Sequence, residues 1–142
     1  MTKKQRQAIL NKSNGHCWYC GEVLPEKGWH VDHLKPVYRN QPKRGSAPDL
    51  FGPVPTEIRH LLNCKKDKMD NPENHSFENM VPSCAPCNLF KSVFTLEDFR
   101  AELQAQVDRA RKTSVNFRTA ERFGLIGVNI KPIVFYFERM DL

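Results

Sequence analysis

Apolar and polar positions alternate most regularly in TLEDFRAELQAQVDRARK, residues 95–112, where Leu96, Phe99, Leu103 and Val107 share one face of a helix. Thr95 and Asp98 make a capping-box-like start, with Asp98 where Glu or Gln is usual. That stripe reads as core-facing. Residues 2–12 predict a shorter helix, with Ile9 and Leu10 as its apolar part and Asn14-Gly15 as its stop. HCWYCGEVL and GWHVDHL predict two short strands joined through PEKG, a turn by composition. CAPCNLFKS predicts a helix start, NFRTAERFGL another short helix and KPIVFYFER a strand. Residues 38–77 are irregular and rich in Pro, Asn and Lys, with one candidate helix at PTEIRHLLNC. A connection that long is functional or mobile.

Length and charge narrow the picture. The 142 residues suit one domain and one modest core. A net charge of +6 and a pI near 9.2 favour a polyanionic partner, of which nucleic acid is the commonest. No apolar run approaches the roughly eighteen residues of a membrane span, and MTKKQRQAIL lacks the apolar stretch of a signal peptide. The expectation is a cytoplasmic protein without a membrane partner. Thiols stay reduced there, so the five cysteines read as metal ligands or catalytic groups rather than disulfides.

Cys17 and Cys20 form one C-x-x-C knuckle, and Cys84 and Cys87 form a second. Four thiolates complete a tetrahedral shell with no open position, the pattern of a structural zinc site. A dithiol redox pair is the competing reading of HCWYCG, but the second pair and the lack of a βαβ pattern count against it. Cys64 is left over and reads as a free thiol.

VDHLKP, residues 31–36, sets Asp32 directly before His33, with His30 two places before Asp32. Polar groups side by side on a short strand cost free energy to bury without partners, so the cluster points to chemistry. HCWYCG, HVDHLKPV and ENMVPSCAPCNLFKS, in that order, resemble the HNH endonucleases, the ββα-metal nucleases, in the subgroup with two zinc-binding knuckles and Asn after the last Cys. The resemblance covers residues 14–92 and is interrupted by the insertion at 38–77. Within the C-terminal extension at 95–142, the stretch from NFRTAERFGL through VFYFER resembles extensions of small phage and prokaryotic members.

The resemblance implies a small α+β domain spanning 1–142. It would hold a ββα-metal core stapled by a four-cysteine zinc site, with C-terminal helices and a strand. It implies that Asp32 and Asn88 hold a catalytic Mg²⁺ or Mn²⁺, a hard cation served by one carboxylate and one amide carbonyl. His33 becomes the general base, and an unperturbed pKa of about 6.5 leaves its imidazole mostly neutral near pH 8. Asn79 orients that base. His30, on the strand face of Asp32, and Lys91, a helical turn beyond Asn88, become candidate phosphate contacts. Residues 35–69 carry eight Lys or Arg against three acids, a net of +5, which makes Arg39, Lys43, Arg44 and Arg59 the first candidates for DNA contact. The alternative is a zinc-bearing nucleic-acid-binding module that does not cut. One centre per chain means that a clean double-strand break requires a homodimer or two visits.

Overall fold

The computed structural model describes residues 1–38 and 69–140, which form a mixed α+β unit. Its first helix, α1 (Lys3–Asn11), starts at Thr2, whose side chain accepts from the Gln5 N–H while the Gln5 side chain accepts from the Thr2 N–H. The chain leaves α1 through Asn14 and Gly15, at φ 51° and 79°, a left-handed bend that Gly and Asn tolerate best. Ile9, on the inner face, is fully buried.

Strands β1 (His30–His33) and β2 (Met80–Ser83) pair antiparallel as the only sheet among the described residues. The register sets His30 opposite Ser83, Val31 opposite Pro82, Asp32 opposite Val81 and His33 opposite Met80. The expected hairpin partner, HCWYCGEVL, is no strand. It is a tight turn closed by a single bridge between His16 and Val23, with Gly21 N–H donating to the Cys17 carbonyl at 3.0 Å. The reason is geometric: a pleated strand would send Cys17 and Cys20 to opposite faces, whereas this turn aims both sulfurs at one point. The knuckle still reaches the sheet, through the Trp18 N–H donating to the Pro82 carbonyl at 2.9 Å.

Helix α2 (Ala85–Lys91) follows β2 directly, and α3 (Leu96–Gln104) is capped by Thr95, whose hydroxyl accepts from the Asp98 N–H and donates to the Asp98 carboxylate. The long helix expected from residue 95 onward breaks at Ala105 into α3 and α4 (Gln106–Thr113). Phe99, Leu96 and Leu103 hold α3 on the core, while α4 buries no residue and pairs with α5 (Val115–Arg122) through Arg111 and Glu121. Helix α5 fits the expectation for NFRTAERFGL.

KPIVFYFER is also not a strand. Consecutive N–H groups, of Tyr136 and Phe137, donate to the carbonyls of Tyr19 and Trp18 at 2.9 and 3.1 Å, where a strand would alternate its donors. A 3₁₀ turn at Phe137–Arg139 ends the segment. Phe135 is thereby driven into the core against Phe99 and Tyr19, and Arg100 fastens the tail by bonding the Ile133 carbonyl and pairing with Glu138. Burying Phe99 and Phe135 contributes about 1.5–3 kcal/mol each. No helix among the described residues is long and apolar enough to cross a membrane.

Candidate functional site

The four knuckle cysteines converge although their pairs lie far apart in sequence. Their sulfurs all fall within 4.8 Å of one another, and Cys20 and Cys84 are 3.8 Å apart. Metal–sulfur bonds of about 2.3 Å in a tetrahedron put sulfurs about 3.8 Å apart, so the group could hold a metal ion such as zinc. The Cys84 N–H points at the Cys17 sulfur at 3.4 Å. A thiol donor from Cys87, with help from nearby backbone N–H groups and against the effect of burial, holds the Cys17 thiol well below its ordinary range. The same shared proton and burial push Cys87 up, and burial pushes Cys20 up to about 11. A cluster that favours proton loss from Cys17 suits a cation-binding ligand set.

Beside this cluster β1 delivers the Asp32-His33 pair. Asp32 is buried, and three donors converge on its carboxylate. The Tyr19 hydroxyl donates to Oδ2 at 2.6 Å, the Lys91 ammonium lies 3.4 Å from Oδ2, and the His33 N–H donates to Oδ1 at 2.8 Å. A carboxylate offers about four lone-pair sites, so one position on Oδ1 has no donor among the described residues. Burial, with Asp32's charge and hydrogen bond added, pushes the Tyr19 phenol far above its usual value, so it remains a donor.

Lys91 corrects one expectation. It is fully buried, its Nζ donates to the His33 carbonyl at 2.8 Å and faces Asp32, and so it is not a phosphate contact. Burial lowers its pKa, and Asp32 opposes that shift. Asp32 supplies the charge, and the His33 carbonyl the acceptor, that make burying the ammonium tolerable.

No family model, curated protein or solved structure matches the chain.

Asn88 stands one turn before Lys91 on α2, on the same helix face, and its side-chain amide makes no hydrogen bond to the described residues. Asn79, just before β2, is the opposite case. Its Oδ1 accepts from the Lys35 N–H at 2.7 Å, and its Nδ2 donates to the carbonyls of Lys35 and Asn74 at 2.8 and 2.6 Å. Its own carbonyl accepts from the Leu34 N–H at 2.9 Å, so it grips both residues that follow His33. His30 is exposed at the start of β1. Arg39, Lys43, Arg44, Arg59, Cys64 and the candidate helix PTEIRHLLNC lie outside the described residues.

Two participants carried no sequence signal. Tyr19 sits inside the knuckle, where an aromatic residue reads as packing. His75 lies in a polar turn four residues before Asn79, and its Nδ1 is 2.9 Å from His33 Nε2.

Proposed function

We propose that the chain is an HNH endonuclease that hydrolyses DNA phosphodiester bonds, with β1, β2 and α2 as a ββα-metal core. In this reading Cys17, Cys20, Cys84 and Cys87 hold a structural zinc. The carrying observation is convergence beside the cysteine cluster. Pairing of β1 with β2 sets His33 opposite Met80, next to Asn79, and Lys91 ties the helix bearing Asn88 to Asp32.

The residues present suit a hard divalent cation: among the described residues, one position on Asp32 Oδ1 and the side-chain amide of Asn88 have no hydrogen-bond partner. Mg²⁺ or Mn²⁺ held there would neutralise the scissile phosphate and stabilise the leaving oxygen. His33 accepts the proton of the attacking water. Asn79 holds the backbone after His33 so that the ring cannot drift, while Tyr19 and Lys91 hold the Asp32 carboxylate in place. DNA is the partner, drawn by the basic residues 35–69, and a double-strand break requires a second copy or a second visit.

Supercoiled plasmid tests the reading. Zinc-loaded protein should relax or linearise it with Mg²⁺ or Mn²⁺ and not with EDTA. His33→Ala should cut roughly a hundred- to ten-thousand-fold more slowly while keeping zinc and DNA affinity. Intact plasmid with either metal, or a parental rate in His33→Ala, rejects the assignment.

A second reading rests on one observation: Asp32 is engaged by three internal donors and its charge is matched by Lys91. That is also how a purely structural acid is held. A zinc-bearing module that binds nucleic acid without cutting would retain DNA and leave plasmid untouched with every metal.

A further inference from the structure

His75 stands where a loop would normally leave a side chain loose, yet its place is set by the backbone. The turn that carries it, residues 71–79, is spliced to residues 35–38 by three asparagine side chains. Asn71 donates to the Pro36 carbonyl at 2.7 Å and accepts from the Tyr38 N–H at 2.8 Å, and Asn74 donates to the same carbonyl at 3.0 Å. Asn79 bonds both Lys35 and Asn74. Between these staples the 3₁₀ turn Pro72–Asn74 closes with the His75 N–H donating to the Pro72 carbonyl at 2.9 Å. The two imidazoles lie 5.0 Å apart between centroids and are tilted by 34°, with His33 Nε2 and His75 Nδ1 at hydrogen-bond distance.

A neutral imidazole carries one N–H and one lone pair, so a bond between two of them assigns a tautomer to each. We propose that His75 is a positioning residue: its Nδ1 accepts the His33 Nε2–H, which fixes the His33 ring plane and leaves the His33 lone pair on Nδ1. This rests on the reading of His33 as the general base. When His33 takes a proton on Nδ1, its Nε2–H remains the donor to His75. That bond becomes charge-assisted and hence stronger as the reaction proceeds. The reverse polarity, with His75 donating, would put the His33 proton on Nδ1 and leave no lone pair there to receive another.

The test uses the full, zinc-loaded chain. Two-bond ¹H–¹⁵N correlations near pH 8 should show His33 as the Nε2–H tautomer in the parent and as a mixture in His75→Ala. Single-turnover plasmid cleavage should fall by about 10- to 100-fold in His75→Ala, the scale of a misplaced reacting group. His75→Asn should recover most of the rate, because asparagine Oδ1 sits where histidine Nδ1 does and accepts the same hydrogen bond. A His33 Nδ1–H tautomer in the parent overturns the inference. So does a parental rate in His75→Ala alongside a slow His33→Ala, a result that leaves the general base standing. A parental rate in His33→Ala instead removes the base assignment itself.

Discussion

Lys91→Met isolates the buried charge pair beneath the site, because methionine fills much the same space without the ammonium. Two interactions disappear. Asp32, whose side chain is 10 % exposed, loses its only opposite charge among the described residues, and the His33 carbonyl loses the donor at 2.8 Å. Removing one partner of a buried pair costs about 3–5 kcal/mol. Tyr19 and the His33 N–H still bond the carboxylate, which puts this case near the lower end, about 3 kcal/mol. The orphaned carbonyl adds about 1 kcal/mol. A total of about 4 kcal/mol, divided by a urea slope of about 2 kcal/mol per molar, moves the unfolding midpoint down by about 2 M. Trp18 and Trp29, both packed against the core, report the transition by fluorescence in zinc-saturated buffer. Because the penalty comes from an uncompensated charge, Asp32→Asn added to Lys91→Met should recover part of it. A midpoint shift under about 0.5 M would mean that the pair contributes no more than an exposed salt bridge, and would refute this electrostatic account.

Two further outcomes are expected. The Cys17 thiol, held below its ordinary range, is ionised at neutral pH, whereas Cys20 (about 11) and Cys87 (raised) are protonated, so metal loading must release at least those two protons. Affinity should then weaken at least about 100-fold per unit fall in pH, read by chelator competition at two pH values near neutrality, and a slope below tenfold would contradict the ligand assignment. Gly21→Ala should destabilise the docked tail by about 2 kcal/mol or more, since Gly21 has φ 79° and a Cβ there would sit 2.6 Å from Tyr136 Cδ2. Gly28→Ala, at φ 93° and with no atom of the described residues beyond its chain neighbours within 4 Å of the added Cβ, isolates the backbone part of that cost, and equal losses in the two variants in urea unfolding would show that the Tyr136 contact contributes nothing.

Local patterns were legible because local physics sets them. The spacing of Cys17 with Cys20 and of Cys84 with Cys87 specifies two turns that each present two sulfurs, whatever lies between. The Thr95–Asp98 cap, the Asn14-Gly15 stop, and helices α1 and α5 follow from side chains within a few residues of one another. Asp32 and His33 announce themselves as polar neighbours on a strand. What the tertiary structure alone decided depends on contacts between distant segments. β1 pairs with residues 80–83 rather than with the nearby knuckle, because convergence of both cysteine pairs draws that segment alongside. KPIVFYFER has the composition of a strand yet is pinned to the knuckle in a non-strand conformation by Phe135 burial and the two hydrogen bonds to Trp18 and Tyr19. Lys91 resembles any solvated helix lysine until a carboxylate 59 positions earlier lies 3.4 Å from it. His75 acquires a role only when three asparagines fasten its turn beside His33, since a hydrogen bond between side chains 42 residues apart leaves no trace in local spacing.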